Sequence, residues 1–77
     1  MNGVKVYSSR DCPNCITLKN FLRERNISYI DVDVGYDEEA AYEMIMKSGQ
    51  MSVPVTEIEG RVIVGFNRDA LTRALDT

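Results

Sequence analysis

Two strand-like apolar runs, Val4–Tyr7 and Ile27–Val34, flank a segment, Asp11–Arg25, whose apolar residues recur at helical spacing. That order is a β-α-β unit, and it points to an α/β fold. On the helix, Cys15, Leu18 and Leu22 share one face with Phe21 beside them. Lys19, Asn20, Arg23 and Glu24 turn to water. The stripe reads as core.

The rest of the chain continues the pattern. Gly35-Tyr36-Asp37 breaks the second strand, and Asp37 before Glu38 and Glu39 reads as an N-cap with acids in the first turn. The helix it starts runs to about Lys47 and is expected to bury Ala41, Met44, Ile45 and Ser48, with Gly49 as a left-handed C-cap. Val53–Ile58 and Arg61–Val64, joined by Glu59-Gly60, read as a hairpin. Gly65 ends it, and Asn67 caps a last helix with the stripe Ala70, Leu71, Ala74 and Leu75. The expected order is β-α-β-α-β-β-α. At 77 residues, all of 1–77 is expected to form one domain, burying about 60% of the surface its unfolded chain exposes.

Composition narrows the partners. Hydrophobic residues at 44% and charged residues at 27% are globular figures. A net charge of −3 with both signs scattered offers no basic face for a phosphate backbone, so nucleic acid is excluded. No apolar run approaches the ~20 residues of a membrane-spanning helix, and Met1-Asn2-Gly3 leads into Val4 without a secretory signal. A cytoplasmic monomer that stays off membranes is the expectation. In a reducing cytosol, one close pair of cysteines reads as redox-active or metal-binding rather than as a staple.

That pair lies in Cys12-Pro13-Asn14-Cys15, where the first strand gives way to the first helix. Proline is favoured at the first helical position, which makes Cys12 the N-cap. A sulfur there faces unpaired backbone N–H groups and the positive end of the helix dipole, and both favour thiolate. Cys12 is therefore expected to be an exposed nucleophile, and Cys15, nearly one turn later toward the buried stripe, the resolving thiol. Arg10 favours a thiolate at Cys12 while Asp11 opposes it. Helix positions i and i+3 hold Cβ atoms about 5–6 Å apart, and a disulfide wants about 3.5–4.5 Å. The spacing thus predicts an easily reduced bond, roughly −270 to −180 mV. The chain has no histidine, so no imidazole base exists for a cysteine hydrolase. Two cysteines also fall short of the four ligands of structural zinc, and no metal site is expected within one chain.

These residues resemble the glutaredoxin family, in particular its short bacterial, NrdH-like redoxins within the thioredoxin-fold superfamily. The resemblance rests on Val4–Tyr7, Cys12-Pro13-Asn14-Cys15, Gly49-Gln50 before Ser52-Val53-Pro54, and Gly65-Phe66 followed by Asn67-Arg68-Asp69. It implies a glutaredoxin fold: a four-stranded mixed sheet with helices on both faces, the first two strands parallel and the last two antiparallel. It also implies a cis Val53–Pro54 bond beside the dithiol, with Val53 offering backbone groups to a bound disulfide. A substrate or glutathione groove would then comprise Arg10, Pro13, Asn14, Gln50, Val53, Pro54, Gly65, Phe66 and Asp69. Arg10 and Gln50 would meet a glutathione carboxylate or a partner protein, and Asp69 a glutathione amino group. Tyr7 reads as partly buried packing.

The implied activity is reduction of disulfides in protein or small-molecule substrates, with no bound cofactor because the cysteines carry the electrons. Glutathione, as cosubstrate, or thioredoxin reductase would restore the dithiol. Asn14 stands where glutathione-binding members usually carry an aromatic residue. Gly65-Phe66, in place of Gly-Gly, is more similar to redoxins that use thioredoxin reductase. Two other classes stay open: a dimeric iron–sulfur cluster or metal carrier, and a non-catalytic module that holds a partner near Val53-Pro54.

Overall fold

The computed structural model describes residues 3–75. Its elements are β1 (Val4–Ser8), α1 (Pro13–Glu24), β2 (Ile30–Asp33), α2 (Glu38–Ser48), β3 (Val55–Ile58), β4 (Arg61–Val64) and α3 (Arg68–Leu75). The four strands form one sheet in the order β2-β1-β3-β4. β1 runs parallel to β2 and antiparallel to β3, and β3 runs antiparallel to β4. This is the expected βαβαββα fold with a mixed sheet.

Alternation along β1 divides the core in two. Val4 and Val6 face a cluster with Leu18, Phe21 and Leu22 of α1, Ile58 and Ile63 of the hairpin, and Leu71 and Ala74 of α3. Tyr7 faces the other way, toward Met44 of α2 and Val55 of β3. Two helices therefore cover one face and one covers the other, because a period-2 strand sends successive side chains to opposite sides.

The local signals place most boundaries. Asp37 caps α2, its carboxylate accepting the N–H groups of Glu39 (3.0 Å) and Ala40 (3.2 Å). Gly49 ends that helix at φ 74°, a left-handed conformation that glycine adopts without a Cβ penalty. Asn67 caps α3 through Ala70 N–H at 3.1 Å. The hairpin turn has positive φ at both Glu59 (48°) and Gly60 (87°), as a tight two-residue connection requires.

Three expectations need correction. α1 ends in a paired C-terminal motif with no counterpart in the sequence pattern: Asn26 sits at φ 58°, its N–H bonds Arg23 O (3.0 Å) and Ile27 N–H bonds Leu22 O (3.0 Å). Ile27–Tyr29 consequently link helix to strand, and β2 starts only at Ile30, which is exposed at the sheet edge. The deeply buried pair on α2 is Ala40 and Met44, while Ala41, Ile45 and Ser48 are only half-buried. Finally, Tyr7 is not partly buried but fully so.

Candidate active site

The loop leaving β1 delivers Cys12 to the start of α1. Its backbone is extended (φ −131°, ψ 100°), Pro13 takes the first helical position, and Cys12 Sγ accepts the N–H of Cys15 at 3.1 Å. Cys12 is thus the N-cap, as expected, with sulfur in the place usually held by a serine or aspartate oxygen. Cys12 and Cys15 are joined in a disulfide, their Cα atoms 5.2 Å apart.

Cys12 Sγ lies 3.9 Å from the carbonyl oxygen of Val53, and the Val53–Pro54 peptide is cis. Gly65 N–H in turn bonds Pro54 O at 2.8 Å. Cys12, Val53, Pro54 and Gly65 therefore meet in one patch, drawn from three separate parts of the chain. The expectation of an exposed Cys12 needs correction: it is only 8% exposed, against 0% for Cys15. The N-cap bond and the Val53 backbone hold the sulfur close to the surface without letting it project.

Around this patch, Pro13 and Asn14 are exposed, and so are two large apolar side chains, Ile16 and Met51. Ile16 belongs to the first turn of α1, its N–H bonded to Cys12 O at 3.2 Å. Met51 precedes Val53 by two positions.

Three of the remaining groove candidates have contacts elsewhere in the chain, and the fourth, Asp69, is exposed. Arg10 Nε stands 3.7 Å from Asp33 Oδ2 and lines an open cleft of about 510 Å³ with Asp11, Asp33, Gly35 and Tyr36. Gln50 Oε1 accepts the Ser52 hydroxyl at 3.0 Å. Phe66 packs edge-on against Phe21 with ring centres 5.8 Å apart, lining a different cleft with Thr17, Asn20 and Arg68. Asp69 is an exposed acid in the first turn of α3.

Three features of the neighbourhood were not foreseen. On the α2 side, the buried Tyr7 hydroxyl donates to Glu43 and accepts from Lys47 (3.2 Å). Lys5 bonds Glu43 at 2.5 Å, and Lys47 bonds Glu57 at 2.8 Å. Hydrogen bonds from Lys5 and then Tyr7 lower the Glu43 carboxyl to about 2. The Glu43 bond raises Lys5, and the Glu57 bond raises Lys47. On the α1 side, Ser8 is buried and donates to Asp31 at 2.8 Å, while Lys19 holds the other Asp31 oxygen at 2.7 Å. Thr56, also on that side, is fully buried. Continuing the period-2 alternation from Val4 and Val6 to Ser8, and from Ile58 back to Thr56, would have turned both hydroxyls inward.

Comparison with known proteins settles the family. The glutaredoxin family model matches residues 4–63, which carry the cysteine pair and the cis proline. The chain belongs to the glutaredoxin family.

It is 38% identical over 73 residues to a glutaredoxin-like 8.6 kDa protein of the rubredoxin operon in Clostridium pasteurianum, covering 95% of this chain and 97% of that one. Glutaredoxin 3 of Escherichia coli is 29% identical over 84% of this chain and 78% of its own length. A crystallised thioredoxin-like protein superposes with a TM-score of 0.92 at 33% identity, covering 99% and 97% of the two chains. NrdH-redoxin of Escherichia coli shares the fold, with a TM-score of 0.80 at 24% identity over 91% of each chain. The protein is a glutaredoxin-like thiol–disulfide oxidoreductase with a redox-active cysteine pair. Among the described residues, no helix is long and apolar enough to cross a membrane.

Proposed function

We propose that this redoxin reduces disulfides in partner proteins by a two-thiol route, and that a thioredoxin-reductase-type flavoprotein resupplies it. The observation that carries the reading is the placement of Cys12 Sγ: N-cap of α1, bonded by the Cys15 N–H and set against the Val53 carbonyl. In the reduced protein the same backbone donor and helix dipole favour a Cys12 thiolate. That thiolate attacks a substrate disulfide, forming a mixed disulfide and expelling one substrate thiolate. Cys15, deprotonated, then attacks Cys12 sulfur, and the second substrate thiolate leaves. Substrate is reduced by two electrons, and the Cys12–Cys15 disulfide is the oxidised product.

The donor assignment rests on the surroundings. Ile16 and Met51 give the rim apolar area suited to another protein's surface. Of the polar groups a glutathione molecule would call on, Gln50 is bonded to Ser52, while Arg10, largely exposed, faces the Asp33 carboxylate at 3.7 Å. Asn14 provides no aromatic face at the motif.

The oxidised protein, mixed in parallel with thioredoxin reductase plus NADPH and with glutathione, provides the test. Faster reduction by the flavoprotein is expected. Faster reduction by glutathione would replace the donor, and a disulfide that neither system reduces would remove the dithiol reading altogether.

A further inference from the structure

Val53 joins the dithiol to the opposite side of the sheet. Its carbonyl oxygen stands 3.9 Å from Cys12 Sγ, while its half-buried side chain packs on the cluster that Tyr7, Met44 and Val55 form beneath α2. One residue thus touches the nucleophile with its backbone and the other half of the core with its side chain.

Polar bonds fix that cluster. Tyr7 is fully buried, and its hydroxyl donates to Glu43 and accepts from Lys47 (3.2 Å), which crosses to Glu57 of β3 at 2.8 Å. β1, α2 and β3 are therefore tied together over Met44, which is 2% exposed. The chain beyond α2 also leaves from a fixed point: Ser48 Oγ accepts the Gln50 N–H at 3.1 Å and donates to Met44 O at 2.7 Å. Its far end is held where Pro54 O accepts the Gly65 N–H at 2.8 Å. Between those ends the Val53 side chain rests on the cluster of Tyr7 and Met44.

With Cys12 as the nucleophile proposed above, we infer that Met44 and Tyr7 are positioning residues: they seat Val53 so that its carbonyl stays against Cys12 sulfur and restrains the ionisation of that thiol. In the reduced protein the S–H of Cys12 can donate to Val53 O, whereas a thiolate meets the negative end of the same carbonyl. Both effects favour the thiol. The Cys15 N–H and the helix dipole pull the other way, so the balance depends on how closely the carbonyl is held. The titratable neighbours of Cys12 come from its own stretch of chain, Arg10 and Asp11 before it and Cys15 after it. Residues 50–54 and 65–67, which complete the patch, carry no titratable side chain. Displacing Val53 thus alters a backbone dipole at Cys12 and no charge.

The experiment follows alkylation of Cys12 by iodoacetamide against pH in reduced protein carrying Cys15→Ser, where Cys12 is the sole thiol. Met44→Ala, which empties the seat, should raise the Cys12 acid dissociation constant about three- to tenfold, the range spanned by the net worth of one hydrogen bond. Tyr7→Phe should shift it the same way by less, and Met44→Leu, which refills the space, should match the parent. Leu22→Ala is the control for plain destabilisation: it hollows the core at the far end of α1, so it should lower stability to urea and leave the Cys12 midpoint in place. Should Met44→Ala fail to fold, Val53→Ala shortens the seated side chain itself and carries the same expectation. A midpoint unmoved by Met44→Ala or Val53→Ala, or moved as far by Leu22→Ala, would overturn the inference. Turnover by Cys12→Ser tests the nucleophile assignment separately, because alkylation reads ionisation and not turnover.

Discussion

Cys12 and Cys15 differ by what the first turn of α1 does to each. Cys12 sulfur sits on the cap, touched by an N–H donor at 3.1 Å, while Cys15 is sealed beneath the helix. The division of labour predicts opposite outcomes for two serine variants. Cys12→Ser should abolish disulfide turnover, whereas Cys15→Ser should accumulate a mixed disulfide with substrate that non-reducing mass spectrometry detects. Turnover retained by Cys12→Ser would reject the assigned nucleophile. Glu43 offers a second residue-level prediction. Its carboxyl is lowered to about 2 in the folded chain, so the stabilisation it contributes is complete above the unfolded carboxylate range and is lost as pH falls from about 5 toward 2. Glu43→Gln should therefore be less stable than wild type at neutral pH, with the gap closing in acid. Urea unfolding across that window measures it, and a gap independent of pH would mean that Glu43 acts through packing alone.

At the scale of elements, α2 is held by its two ends. Asp37→Ala removes the acceptor for two backbone N–H groups and should cost about 1 kcal/mol. Gly49→Ala places a Cβ at φ 74° and should cost about 1–2 kcal/mol through the backbone alone, since none of the described residues lies within 4 Å of the added carbon. Chemical denaturation checks both, and a neutral Gly49→Ala would contradict the left-handed cap. The two caps were legible because each is a local arrangement of residue type and spacing. Asn26 was not, because a lone asparagine becomes a helix terminator only when Ile27 can reach back to Leu22. β2 is shorter than its apolar alternation suggests for the same reason: Ile27 and Tyr29 continue the pattern, yet the chain needs those residues to travel from helix to sheet.

For the molecule as a whole, the dithiol stands where α1 and the β3 entry are pressed together by the cluster behind them. Leu18, fully buried between helix and sheet, belongs to that cluster. Leu18→Ala should cost about 2–5 kcal/mol, a large share of the 5–15 kcal/mol typical of a small domain. Urea unfolding would measure the loss, and a change below about 1 kcal/mol would show that the α1–sheet layer does not carry the stability assigned to it. Of the candidate groove, the structure unites Val53, Pro54 and Gly65 with Cys12 but gives Arg10, Gln50 and Phe66 partners of their own. Polar side chains on loops could be nominated from the sequence, yet a partner distant in the chain could not: Arg10 faces Asp33, the last residue of β2.

The sequence by itself determined the order of elements, the N-cap position of Cys12 and the pairing of Cys12 with Cys15, because all three depend on spacing within a few residues. Only the tertiary structure decided how deeply Cys12 sits, which groups Tyr7 and Ser8 bond, and that the Thr56 hydroxyl is sealed in with no hydrogen-bond partner among the described residues. Those depend on which distant segments the sheet register lays beside one another. A strand's own residues show which way a side chain turns but not what it meets.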